Sequence, residues 1–327
     1  MFKNLSIMKG ARVAVETCMK TQPDETVLIV TDTNKLSIAE AFAYAAASIG
    51  VKTVTSVMEP ALEHANEPPR PVAQAMKTAE VVLIPTTKSL SHTDARRAAT
   101  KAGARIASMP DINEDMMRIG GLTADYNQIA TLTDKLVHIL EKGKTVKITT
   151  PSGTDLTMSI EKRPPMPDTG LYHKPGDWGN LPAGEVCLAP VEGTTNGTLV
   201  IDSMGSVVTR PLKVTVKDGW AKKFDGPDAA KLESRLEAAD RNAYNIGELG
   251  IGTNSKARLT GNVLEDEKVL GTVHIALGDN TSYTGGHTKS KFHEDGILLQ
   301  PTVKMDTGFL MQKGKLLADQ LGKSASS

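Results

Sequence analysis

VLIVTD (27–32) is apolar over its first four residues and polar at its end, the way a strand buried on both faces of a sheet reads. Outward from it, SIAEAFAYAAASIG (37–50) is an Ala-rich helical segment that opens on serine and stops at Gly50. TVTSVM (53–58) and AEVVLIPTT (79–87) are two further strands. HTDARRAATKAG (92–103) is a second helix, closed by Gly103 and followed by ARIASMP, and VAVETCMK carries helical spacing after Ala11. Repeated strand–helix–strand units predict an open parallel sheet covered on both faces. A dinucleotide site is not expected in it, because TNKLS follows VLIVTD with neither a GxGxxG turn nor a phosphate-binding lysine. Thr31, Asp32, Thr86 and Thr87, at the strand ends, are read as caps of the next helices.

Beyond TLTDKLVHILEKGK (131–144), an amphipathic helix, the texture changes. VKITTPSGTDLTMSI (146–160) reads as two strands about the turn PSGTD, and GEVCLAP, GTLVIDS, GSVVTRPLKVTVKDG and KVLGTVHIAL are more strands. One helix, PDAAKLESRLEAADRN (227–242), interrupts them. The expected class is α/β, with an N-terminal open parallel-sheet α/β domain over residues 1–145. A β-rich α+β catalytic domain follows over 146–327, and its end, LADQLGKSASS, is expected to be a disordered tail.

The bulk numbers narrow the function. At 327 residues the chain is long enough for two cores. Lys plus Arg equals Asp plus Glu, 38 each, so no net field draws in nucleic acid or an anionic membrane. Aromatics at 4% make a base-stacking platform unexpected. No apolar run approaches the ~20 residues of a membrane helix, and the N-terminus lacks the apolar core of a signal peptide. Two cysteines, Cys18 and Cys187, cannot frame a disulfide scaffold. A cytoplasmic protein is the expectation.

Three of the seven histidines fall between 274 and 293, a density that suggests imidazole ligands for a metal. Glu185 enters the apolar strand of GEVCLAP, and Glu248 is embedded in NIGELGIGTN (245–254); a carboxylate in such a run needs a partner or a metal. His274 interrupts VLGTVHIAL. His293 and Asp295, two apart on a strand, face the same way and can reach one ion. Histidine and carboxylate ligands suit Zn, Mn, Co or Fe. His138 reads as a surface residue of its helix, Cys187 as a small core residue, and Glu267 as either a general base or a solvated charge in EDEK.

At these segments the chain resembles the aminopeptidase T/aminopeptidase S family of metallopeptidases, through LPAGEVCLAP, NIGELGIGTN, the H-x-A-L-G of His274–Gly278 and the closing H-x-D. The resemblance implies a two-metal hydrolase that releases N-terminal residues from short peptides or small-molecule substrates, assembled as a homodimer. Glu185, Glu248, His274, His293 and Asp295 then hold two divalent ions, Zn, Co or Mn. Glu267 is the base that takes the water's proton, and Tyr283 donates to the oxyanion. The family's tyrosine falls seven residues after the first histidine, where this chain has Thr281. The same fold is similar to 2,5-dihydroxypyridine dioxygenase, which implies instead a single Fe(II) on His274, His293 and Asp295.

Overall fold

A computed structural model describes residues 6–317, so beyond Leu317 the expected disordered tail lies outside the described residues. The chain forms two compact units, each discontinuous in sequence. One comprises Met1–Ala130, Thr169–Ala183 and Ser255–Arg258; the other comprises Thr131–Asp168, Gly184–Asn254 and Leu259–Ser327. A single boundary at 145 does not describe this division, because two later segments return to the first unit.

The first unit is the expected parallel sheet, in the order Lys52–Met58, Thr26–Asp32, Val81–Thr86, Arg105–Pro110, Trp178–Asn180. Val27–Asp32 and all of Val81–Thr86 are buried, which is why these strands read as unbroken apolar runs. The fifth strand, at three residues, is too short to show a pattern; it pairs Ile106 with Trp178. The polar strand ends tie neighbouring strands together and do not cap helices. Asp32 accepts from Thr87 N at 2.5 Å and Thr87 Oγ1 at 3.0 Å, and Thr31 Oγ1 donates to Pro85 O at 2.8 Å. The helical segment around Ala11 is of two kinds: Met8–Arg12 is α-helical and Val13–Cys18 is a wider π-helix.

The second unit is built on two antiparallel sheets. Eight strands run in the order Trp220–Asp225, Leu212–Lys217, Asn196–Ile201, Asp155–Ser159, Thr145–Thr149, Thr302–Met305, Gly308–Gln312, Lys315–Leu316. Five more run His293–Leu298, Val273–Gly278, Ile246–Gly252, Glu185–Leu188, Met166–Asp168. One apolar core joins them: Ile148, Leu156, Leu199 and Val214 from the larger sheet pack with Val186, Leu249, Ile251, Ile275 and Leu277 from the smaller. Each such side chain, fully buried, contributes about 1.5–3 kcal/mol. That alternation sends the intervening residues of the smaller sheet to its other face, where the chemistry lies. The expected strand KVLGTVHIAL begins only at Val273, because Gly271 has φ +89° and Lys268–Thr272 form a turn. No helix among the described residues is long and apolar enough to cross a membrane.

Candidate metal centre

The register of the five-stranded sheet assembles the site. Ala276 lies opposite Glu248 on one side and Asp295 on the other, while His274 lies opposite Gly250, and Gly250 in turn opposite Cys187. Glu185 pairs with Gly252 on one side and with Asp168 on the other. Residues directly opposite share a face, so Glu185, Cys187, Glu248, His274, His293 and Asp295 all project from the side away from the core. The small residues of this face make the room: a Cβ on Gly250 would sit 1.8 Å from His274 Nε2. This is why GELGIG is glycine-rich where an acid is also embedded.

Glu248 is 2% exposed and lies between the two imidazoles. Its Oε1 is 3.4 Å from His274 Nε2, and its Oε2 is 3.1 Å from His293 Nε2. Tyr283 O–H donates to the same Oε2 at 2.5 Å. Ligand atoms of Glu248, His274 and Asp295 fall within 4.8 Å of one another, as do those of Glu185, Cys187 and Glu248. Burial works against charge on Glu248, yet His274 and His293 outweigh it and hold the carboxyl well below the usual carboxylate range. Burial likewise lowers His293, but Glu248 and Asp295 raise it to about 10, and His274 is pushed up by Glu185 and Glu248. Burial and Glu248 together keep the Tyr283 phenol protonated.

Three buried atoms here have no hydrogen-bond partner: Asp295 Oδ1, Glu185 Oε2 and His274 Nδ1. Orphaned polar atoms are expensive in a folded interior, and three together among histidines and carboxylates fit a divalent ion. The donor set passes that test.

Of the expected residues, the structure brings together Glu185, Glu248, His274, His293, Asp295 and Tyr283. His287, the third histidine of the dense segment, is exposed, and its backbone N–H donates to Glu192. Thr281 closes a turn on Asp279, donating through both N (2.9 Å) and Oγ1 (2.8 Å), so the phenol two residues later is the one that reaches Glu248. Cys187 is buried as expected, but on the metal face of the sheet and outside the main apolar cluster, and burial with Glu248 and Glu185 raises its thiol.

EDEK is not a solvated run. Glu265, Asp266 and Lys268 are buried, and Asp266 accepts from Thr260 N and Gly261 N. Lys268 Nζ lies 2.6 Å from Glu185 Oε1, 2.6 Å from Glu267 Oε1 and 3.7 Å from Asp168 Oδ2. Burial opposes its charge, and Glu185, Glu267 and Asp168 outweigh burial. Lys268 and Asp168 were missed in the sequence; the only signal was a lysine set directly before the apolar V-L. Glu267 is pushed well above its ordinary value by burial, with Lys268 opposing.

Known proteins bear on this geometry. The family model described as 2,5-dihydroxypyridine 5,6-dioxygenase matches residues 7–318. The 2,5-dihydroxypyridine 5,6-dioxygenase of Pseudomonas putida KT2440 is 21% identical over 266 residues, covering 76% of this chain and 73% of its own length. The solved structure of 2,5-dihydroxypyridine dioxygenase from Pseudomonas putida KT2440 is similar with TM-score 0.79 and 17% identity, over 98% of this chain and 99% of that one. The aminopeptidase AmpT from Thermus thermophilus is similar with TM-score 0.71 and 16% identity, over 97% and 100%. At these identities the two structures show a shared fold and nothing more.

The family match overturns the aminopeptidase expected from the sequence, with its peptide hydrolysis and its zinc or cobalt. Two of the three carboxylates that argued for a second ion, Glu185 and Glu267, have Lys268 as a partner, and the third, Glu248, lies between His274 and His293.

Proposed function

This chain belongs to the 2,5-dihydroxypyridine 5,6-dioxygenase family, and on that footing we propose that it is a ring-cleaving dioxygenase using one non-haem Fe(II). Its substrate class is a dihydroxylated pyridine, as the name of the Pseudomonas putida relative indicates. Two histidines and one carboxylate are the ligand type of iron oxygenases that keep coordination positions open. His274, His293 and Asp295 would hold the ion. The observation that carries the reading is their convergence on one sheet face with Asp295 Oδ1 buried and unpartnered.

Bound Fe(II) would supply a place for dioxygen and the substrate to meet and would relay electrons from the dihydroxylated ring to dioxygen. The chain's own groups do the rest. Glu248 stays ionised between the imidazoles and can take the proton of a ring hydroxyl at Oε2, where Tyr283 already donates. Tyr283, kept protonated, holds that oxygen in place by its hydrogen bond. His293 is fixed by its other nitrogen, with Nδ1 2.8 Å from Asp279 O, so Nε2 is left toward the centre.

Protein loaded anaerobically with Fe(II) should consume oxygen when given 2,5-dihydroxypyridine, with loss of the ring's ultraviolet absorbance. Absence of oxygen uptake with every dihydroxylated pyridine offered, from protein shown to contain iron, overturns the reading.

A further inference from the structure

Lys268 is 2% exposed, and the backbone fixes it: Lys268 N donates to Glu265 O at 3.1 Å, and Asn254 N donates to Lys268 O at 2.8 Å. Its ammonium touches Glu185 and Glu267 and lies within 4 Å of Asp168, carboxylates from three separate segments. The Glu185 carboxylate is shared: Oε1 goes to Lys268, and Oε2 stands 3.2 Å from His274 Nε2. Glu185 also belongs, with Cys187 and Glu248, to a second group of ligand atoms adjoining the one with Asp295. The face therefore carries two overlapping groups of ligand atoms that share Glu248, and in one of them Glu185 already faces a cation that the chain itself supplies.

We propose that Lys268 is the built-in cation that limits this centre to a single metal ion. A buried ammonium and a divalent ion compete for the same carboxylates, because both answer the cost of leaving those charges unpaired in the interior. Glu185 Oε1 and Glu267 Oε1 cannot serve an ion while they serve Lys268. The proposal rests on the reading of His274, His293 and Asp295 as the metal site. It makes Lys268 a positioning residue that sets metal number.

The test is the Zn2+ stoichiometry of the full chain by native mass spectrometry, with the Co2+ visible absorption as a second readout. Wild type should saturate at one ion, Lys268→Arg at one, and Lys268→Met at two, with the Co2+ band about doubled. If Lys268→Met folds only with Zn2+ present, two ions bound in the refolded protein supports the proposal equally. Two ions in wild type, one in a folded Lys268→Met, or a fold lost in Lys268→Met that Zn2+ does not restore, each overturns it. No ion in wild type removes the metal-centre reading on which it stands, a failure distinct from the other three.

Discussion

The imidazole of His274 occupies the volume that a side chain at Gly250 would need: the two residues are directly opposite in antiparallel register, and a Cβ at 250 would fall 1.8 Å from Nε2. Gly250→Ala should push the ring out of the centre without unfolding the sandwich, at a cost of about 1–3 kcal/mol for overpacking. Metal affinity should fall about 10–100-fold, the scale seen when a ligand's orientation is disturbed. Calorimetric metal titration beside a thermal melt checks this, and unchanged affinity would show that the ring is not held by this packing.

Asp295→Asn keeps the shape of the side chain and removes its charge. Because Asp295 Oδ1 is buried without a partner, the substitution should leave stability intact or improved while iron content drops to trace levels. Elemental analysis of the purified variant decides, and full iron occupancy would take Asp295 out of the ligand set.

Tyr283→Phe deletes one hydrogen bond to Glu248 Oε2 and nothing of the ligand set. Iron content should be retained, and turnover should fall roughly 10²–10⁴-fold if the phenol shares in proton transfer. A turnover unchanged within about twofold, with full iron, would reduce Tyr283 to loop packing.

The surrounding carboxylates favour the protonated form of both imidazoles in the metal-free protein. Burial disfavours this, but Glu248 and Asp295 lift His293 to about 10 and Glu185 with Glu248 lift His274 well above its ordinary value. A metal must displace these protons, so the sign is fixed: below about pH 10 apparent affinity rises with pH, about tenfold per unit for each proton released. Titration calorimetry with Zn2+ from about pH 6 to pH 8, in buffers of different ionisation enthalpy, counts those protons. A flat affinity across that range would mean the imidazoles are not the ligands.

The parallel sheet was legible because strands such as Val27–Thr31 and Val81–Thr86 are buried on both faces and so read as continuous apolar runs. The ligand candidates were legible for a related reason. An acid such as Glu248 inside a buried strand has no solvated side to explain it, and H-x-D on a strand must share a face. Lys268 was not legible. In EDEK it reads as one charge among solvated neighbours, and its burial comes from packing against Glu185, 83 residues away. The reaction class was lost at the same point. Histidines and carboxylates serve one ion or two equally well, and the ion pairs of Lys268 with Glu185 and Glu267 are tertiary contacts that no local pattern reports. The three-residue strand Trp178–Asn180 escaped for want of length.

Turnover under ¹⁸O₂, followed by mass spectrometry of the product, tests the central claim most directly. With iron-loaded protein and 2,5-dihydroxypyridine, a ring-opened product carrying two ¹⁸O atoms from a single dioxygen molecule is predicted. Product formed under argon, or formed in air with its new oxygen drawn only from water, would contradict a dioxygenase built on His274, His293 and Asp295.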